Sequence, residues 1–299
     1  MARHNTFLSG DRAFTQNNAM TGTQPQYGAP QSFEQQRSQQ FGQTGAQQSD
    51  LEAMYARPSA SGHDTGRMTM RDALNAISAT LGLTIVVGAA VTLTPALFAL
   101  VGGEQAAQYG TLLLIPALVI GLLGGLITGL VNAFKRKPSA PIVLAYGFFE
   151  GLAMGGLTGV FEQQYAGIAI QAVTATLIVA GSVLLLFRVG ILRTSPVLTK
   201  IFAVAMVAYM LFALVNIGFM LFAGDNLRMA GGGLLGVVIG ALAILMGAYS
   251  LVMDFEDVQR GVRNGVPRVY AWRCAFALTA TLVWMYLEIL RLLAILRNN

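Results

Sequence analysis

Seven apolar stretches follow one another from Met70 to the end of the chain, each near the ~20 residues that a helix needs to cross a bilayer. They occupy about 74–101, 111–134, 141–161, 166–187, 199–223, 230–255 and 271–296. Helices satisfy their backbone hydrogen bonds within one segment, as lipid requires. The sequence therefore predicts an all-α integral membrane protein, a bundle of seven transmembrane helices. Pro95 is expected to kink the first span, and residues 102–110 are expected to form a short connection.

The composition supports a membrane location and excludes several kinds of site. Only 11% of the residues are charged, whereas about a quarter are charged in soluble domains. A single cysteine, Cys274, excludes a disulfide framework and a cysteine-rich metal site. Both histidines, His4 and His63, precede the apolar region, which excludes a histidine-ligated zinc site or a Ser/His hydrolase within the bilayer. We expect no catalytic residues and no cofactor.

Residues 1–69 differ in composition from the rest of the chain. Eleven glutamines lie between Gln16 and Gln48, mixed with Ser, Gly, Thr and Pro. Such a segment cannot bury enough apolar surface to offset its ordering entropy. It also lacks the basic start and apolar run of a signal peptide. The sequence predicts a disordered cytoplasmic tail at 1–69, followed by a transmembrane domain at 70–299.

Basic residues are distributed unequally between the two sets of connections. Ten occupy alternate connections: Lys135, Arg136, Lys137, Arg188, Arg193, Lys200, Arg260, Arg263, Arg268 and Arg273. Arg228 alone lies in the opposite set. The positive-inside bias then predicts a cytoplasmic N-terminus and an external C-terminus in the inner or plasma membrane. It also explains the net charge of +5 without nucleic-acid binding.

Glycines recur every four residues on three of the spans. The rows are Gly121, Gly125 and Gly129; Gly147, Gly151, Gly155 and Gly159; and Gly232, Gly236 and Gly240. Small residues at this spacing let helix backbones approach closely in lipid. We interpret the rows as packing surfaces of a compact bundle.

Three acidic residues fall within the apolar stretches: Glu150, Asp254 and Glu288. A charge in the bilayer costs roughly 2.5 to 3.5 kcal/mol unless it is paired or faces water. Glu150 could be a buried acid that fixes helix packing, Asp254 a solvated interfacial carboxylate, and Glu288 the partner of Arg291 three residues later. Alternatively, the acids line a polar path. Two acids close together could share a proton, and would attract a hard cation such as calcium.

Several strings resemble the Bax inhibitor-1 family, in particular its bacterial YccA-like branch. They are LVMDFEDVQRGV in the sixth span, TLVWMYLEILRLLAIL in the seventh, AYGFFEGLAMGGLTGVFE in the third, and FRVGILRTSPVLTK between the fourth and fifth. The resemblance covers roughly residues 68–299. It implies a seven-helix fold in which the last helix is surrounded by the others.

The resemblance also implies a function. Bacterial members look like pH-sensitive calcium leak channels, with one gating acid on each of helices six and seven. Asp254 matches the first acid and Glu288 the second, and calcium would be held there as the transported ion. A basic residue at the cytoplasmic end of helix two belongs to the gate region; Arg136 is the expected one, beside Lys135 and Lys137.

The 34-residue interval from Asp254 to Glu288 leaves other pairings open, because it places the two acids at different depths unless the helices extend. Asp257, one turn beyond Asp254, and Thr281 are alternative occupants of the two positions. Glu150 is an alternative partner for Glu288.

A second hypothesis is a regulatory protein that binds other membrane proteins, or a membrane-bound protease of the FtsH type, and moves no ions. The resemblance supports it too, because the YccA protein itself is similar to a modulator of that protease. An intramembrane aspartyl protease is disfavoured, since the chain has no Gly-x-Gly-Asp run.

Overall fold

The computed structural model describes residues 66–224, 226–229 and 233–298, so nearly all of the predicted tail lies outside the described residues. The described part contains eight α-helices and two short 3-10 helices at Leu227–Met229 and Arg268–Tyr270. The helices are α1 (Met70–Thr92), α2 (Thr94–Leu112), α3 (Leu114–Phe134), α4 (Ala140–Gln164), α5 (Ile168–Val189), α6 (Pro196–Phe222), α7 (Leu234–Arg263) and α8 (Ala271–Asn298). The predicted all-α membrane fold is confirmed.

The first predicted span ends earlier than the sequence suggested. The side chains of Thr69 and Asp72 each bond the other's backbone N–H, a capping box that starts α1. Pro95 does not kink this helix, because α1 ends at Thr92 and Pro95 lies in the first turn of α2. Proline is tolerated there since that N–H has no helical partner. The expected connection at 102–110 is also wrong: it lies within α2, which bends at Gly102 and Gly103.

Six segments are long and apolar enough to cross a membrane among the described residues, and the first of them is the 65-residue stretch Met70–Phe134. Within that stretch α1 and α3 run in opposite directions. Thr84 meets Gly147 and Gly88 meets Gly151, so α1 is parallel to α4. Gly121 meets Ala153 and Gly129 meets Tyr146, so α3 is antiparallel to α4. The count of seven crossings stays a prediction.

The glycine row on α3 packs against α4, and the row on α4 packs mainly against the backbone of α1, so both rows form packing surfaces as predicted. A Cβ added to Gly121 would lie 2.2 Å from the backbone nitrogen of Ala153. A Cβ on Gly155 would lie 2.5 Å from the carbonyl oxygen of Gly88. The third row contributes Gly236 and Gly240, which face α8, while Gly232 is outside the described residues. The close packing of α1 and α3 against α4 therefore depends on glycine at these positions.

Helix α8 is the most enclosed of the apolar segments, as the resemblance implied. It packs against α1, α4, α5 and α7. Of the residues in its most apolar 18-residue stretch, 61% are buried. For α6 the corresponding share is 6%, so few of its residues are fully buried, although one stripe that includes Phe202 and Tyr209 contacts α7 and α8. We call the end of the bundle where α1 and α8 begin the tail end, and the end where α8 stops the far end.

Replacing Gly121 by alanine should destabilise the bundle, since α3 and α4 must separate to admit the methyl group. Overpacking of this kind costs about 1–3 kcal/mol. The matched control is Gly82→Ala on α1, because nothing lies within 4 Å of a Cβ at that position. Thermal unfolding of both variants in one detergent tests this. Equal melting temperatures for Gly121→Ala and wild type would contradict the packing role.

Candidate functional site

Two polar clusters lie one above the other along α8 inside the bundle. The first contains Thr281 of α8 and Asp254 of α7, and the second contains Glu288 of α8 and Arg228 of the 227–229 turn. Seven residues separate Thr281 from Glu288, which corresponds to about 10 Å along a helix. The clusters therefore occupy different depths.

Asp254 is enclosed between α7 and α8 and is only 5% exposed. The Thr281 hydroxyl donates a 2.6 Å hydrogen bond to its Oδ2. Ser250, one turn away on α7, lies with its Oγ 3.3 Å from Thr281 Oγ1. The interpretation of Asp254 as a solvated interfacial carboxylate is therefore wrong, since little of it is accessible.

Asp257 is one turn closer to the tail end and is 3% exposed. Unlike Asp254, it faces a cation: Arg260 Nη1 lies 2.9 Å from its Oδ1. Arg260 also bonds Glu256 at 3.2 Å, and Glu256 in turn accepts a hydrogen bond from Thr194. The described hydrogen-bond partner of Asp254 is a hydroxyl, whereas Asp257 is paired with the guanidinium of Arg260.

Glu288 is fully buried and is surrounded by cationic and phenolic groups. Arg228 Nη1 lies 2.8 Å from its Oε2, and Arg291 Nη1 lies 2.8 Å from its Oε1. The Tyr209 hydroxyl of α6 donates to Oε1 as well and accepts a 2.9 Å bond from Arg228 Nη2. The predicted pair with Arg291 is present, within a larger network that joins α6, α8 and the 227–229 turn.

Arg228 is drawn from a connection into the protein and is 5% exposed. Its guanidinium also lies 5.7 Å from the ring centres of Tyr209 and Phe212. Burial acts to lower the pKa of Arg228, but the hydrogen bond and negative charge of Glu288 outweigh it and hold that pKa above its usual value. The Arg228 side chain therefore stays charged.

The predicted pair of Asp254 and Glu288 is not brought together. Asp254 meets Thr281, which is one of the alternatives that the sequence left open. Glu288 meets Arg291 of its own helix and two groups on other elements, Arg228 and Tyr209. The alternative pairing of Glu288 with Glu150 is absent from the described contacts as well. Among the described residues the two acids form separate sites.

Glu150 lies instead between α4 and α3. It is partly buried, shares a hydrogen bond with Tyr146 one turn earlier, and lies beside Gly125, where an added Cβ would come 3.2 Å from its Oε1. This arrangement fits the packing interpretation of Glu150. Arg136 is exposed in the connection between α3 and α4.

No group of three or more His, Cys, Asp or Glu side chains that could hold a metal ion occurs in the described part of the chain. The hydroxyl oxygens of Thr281 and Ser250 lie beside Asp254. The two carboxylate oxygens of Glu288, by contrast, already accept hydrogen bonds from guanidinium and phenol groups. Of the two acids, Asp254 has hydroxyl oxygens beside it and no guanidinium among its described partners, so its surroundings suit a cation better.

Comparison with known families gives one match, to the family described as Bax inhibitor 1 like, over residues 12–298. The chain belongs to the Bax inhibitor 1 like family. The match begins within the glutamine-rich segment, whereas the sequence strings covered roughly residues 68–299. Comparisons with curated proteins and with solved structures find no match. The YccA-like branch remains a prediction.

Sequence reasoning missed Arg228 and Tyr209 as partners of Glu288, and Ser250 beside Asp254. Arg228 left a usable signal, because it is the one basic residue in the far-end connections and a buried acid needs a cation. Tyr209 and Ser250 left none, since neither residue is unusual in a membrane helix. Their contacts depend on how α6 and α7 are rotated against α8.

The two arginines that share Glu288 should differ in their effect on stability. Arg228→Gln leaves a buried carboxylate without its most enclosed cation, a change that typically costs about 3–5 kcal/mol. Arg291 has 41% of its side chain exposed, so Arg291→Gln should cost roughly 1 kcal/mol or less. Thermal unfolding in detergent compares the two variants. Equal losses would contradict the assignment of Arg228 as the principal counter-charge.

Proposed function

We propose that the protein is a pH-sensitive calcium leak channel in which Asp254 is the gating acid. One observation carries the proposal: Asp254 is buried within the bundle and its described partner is a hydroxyl, whereas the neighbouring acids each face a guanidinium. A buried acid without a cation must be protonated, hydrated or bound to an ion. Family membership is consistent with this function.

The surroundings of Asp254 suit a hard cation. Its carboxylate, the Thr281 hydroxyl and the Ser250 hydroxyl supply oxygen atoms from both α7 and α8. Calcium prefers oxygen ligands and accepts irregular geometry, with water completing its shell. A passing ion would meet the ionised Asp254 first and the hydroxyls beside it.

The same contact provides a gate. While Thr281 donates to Asp254, the two helices are joined across the narrow space that an ion would have to cross. Loss or gain of the Asp254 proton changes the charge at this contact, and a charge enclosed by helices favours entry of water or a cation. The Thr281 bond can persist in both states, so the difference lies in hydration: an ionised Asp254 draws water or a cation into the contact and a neutral one does not. Low pH therefore favours the closed, dry contact, and high pH favours the open, hydrated one.

Glu288 and Arg136 have different parts in this proposal. The Glu288 network holds α6 and the 227–229 turn against α8, so Glu288 serves as an anchor at the far end of the path. Arg136, exposed next to the end of α3, is proposed as the basic residue of the gate region. Asp257 and Arg260 would form the tail-end entrance, and Glu150 would lie beside the path.

Calcium entry into proteoliposomes at pH 6 and pH 8 tests the gate directly. We expect greater entry at pH 8 in wild type, and an Asp254→Asn variant whose entry no longer changes with pH, because asparagine cannot ionise. Glu104→Gln is the matched control: it also removes one acid, but Glu104 is exposed on α2. It should retain the wild-type pH dependence.

Two results would overturn the channel proposal. One is the absence of calcium entry at both pH values with protein shown to be folded. The other is an Asp254→Asn variant with unchanged pH dependence. Thr281→Val adds a separate check, since it removes the hydroxyl but leaves the acid; we expect it to raise entry at pH 6 by weakening the closed contact.

A second candidate function is regulation of a membrane protein, with a protease of the FtsH type as the proposed partner. The observation that favours it is the attachment of the chain just before α1. Arg67 forms an antiparallel bridge with Pro267, the Met68 N–H donates to the Val266 carbonyl at 2.7 Å, and Arg268 pairs with Asp72 at 2.8 Å. Through these contacts, a partner that binds the tail and pulls on it would also pull on the connection from α7 to α8.

Deleting residues 1–65 distinguishes the two functions, because it removes the tail and leaves this attachment intact. A channel should keep its calcium entry and pH dependence in proteoliposomes. A regulator should lose its effect on the turnover of membrane proteins by the protease in cells. Full retention of the cellular effect without the tail would contradict the role of the tail as the contact segment.

A further inference from the structure

A cavity of about 490 Å³ lies at the far end of the bundle, between the ends of α4, α6 and α8 and the 227–229 turn. Its size is typical of ligand pockets. Phe161 of α4 and Ile217 and Met220 of α6 provide an apolar wall. Ile217 and Met220 are also exposed on the outside of α6, so this wall continues onto the surface that faces lipid.

Arg228 and Arg291 give the cavity a positive lining. No aspartate or glutamate lines it among the described residues. Both arginines contact the Glu288 carboxylate, so two guanidiniums share its single negative charge. The cluster of these three side chains keeps one positive charge, which the exposed part of Arg291 presents to the cavity and which an anion there would balance.

The two guanidiniums also retain hydrogen-bonding capacity. Each guanidinium has five N–H donors in a planar arrangement suited to phosphate. The described bonds use Arg228 Nη1 and Nη2 once each and Arg291 Nη1 once. Arg291 is 41% exposed and faces the cavity, so its remaining donors are accessible to a ligand.

We infer that this cavity binds an anionic phospholipid, with its phosphate at Arg228 and Arg291 and an acyl chain along Ile217 and Met220. A free phosphate would satisfy the donors but would leave the apolar wall uncovered. A zwitterionic lipid would cover the wall but would bring its own cation beside the arginines. The site is separate from Asp254 and does not depend on the proposed channel function.

Thermal unfolding of the purified full chain in an uncharged detergent tests this inference. We expect phosphatidylglycerol to raise the melting temperature by roughly 5 °C near saturation. Phosphatidylcholine and inorganic phosphate at equal concentration should give no comparable rise. Equal stabilisation by phosphatidylcholine would overturn the inference, and equal stabilisation by inorganic phosphate alone would show a soluble-anion site instead.

Variants of α8 locate the effect. Arg291→Gln should lose the shift produced by phosphatidylglycerol, and Arg291→Lys should keep most of it because the charge remains. Arg297→Gln is the matched control: it removes an arginine from the same end of α8, where Arg297 bonds the Ala166 carbonyl and does not line the cavity. An unchanged shift in Arg291→Gln, or its loss in Arg297→Gln, would contradict the assigned site.

A second measurement needs no change at the arginines. The chain has two tryptophans, and Trp284 lies 5.5 Å, between ring centres, from Tyr209, which bonds Arg228. In a Trp272→Phe variant, brominated phosphatidylglycerol should quench the remaining fluorescence more than brominated phosphatidylcholine does. Unlabelled phosphatidylglycerol should reverse the excess. Equal quenching by both lipids would count against a specific site.

Discussion

A charge inside the bundle is costly unless a neighbouring group compensates it, because the surrounding helices exclude most of the water. Glu288 shows how far this requirement reaches. Its carboxylate is met by Arg228, Arg291 and Tyr209, which belong to three different elements. Arg228 belongs to the connection between α6 and α7, and the 227–229 turn of this connection folds inward so that its side chain reaches the acid. Helix α6, which has few other contacts with α8, is held through Tyr209.

Compensation also separates the two acids that the sequence suggested as a pair. Glu288 is balanced by guanidiniums, while the hydrogen-bond partner of Asp254 in the described part of the chain is the Thr281 hydroxyl. The two acids therefore occupy separate environments: Glu288 is on the far-end half of α8, whereas Asp254 is on α7 and faces the tail-end half of α8 through Thr281.

The sequence predicted the helices well, because apolar length and glycine spacing are local properties of the chain. The ends of α5, α6 and α8 lie within a few residues of expectation, whereas α7 extends to Arg263, eight residues beyond the predicted end at 255. Partners across helices were harder. That Asp254 faces Thr281, and that Arg228 reaches Glu288, depends on helix rotation and on a turn that folds inward, and neither leaves a periodic pattern. The family strings singled out Asp254 and Glu288 but not the neighbours of either acid.

Helix α6 has an unusual relation to its surroundings. Its 27 residues span about 40 Å, whereas the hydrocarbon core of a bilayer is ~30 Å thick. A helix longer than the hydrocarbon core accommodates the difference by tilting, kinking or locally thickening the bilayer, and α6 has little packing against protein to oppose this. Tyr209 is carried on this helix and touches Glu288, so a thinner or thicker bilayer would shift the phenol against the carboxylate. Bilayer thickness would in this way alter a hydrogen bond in the interior of the protein.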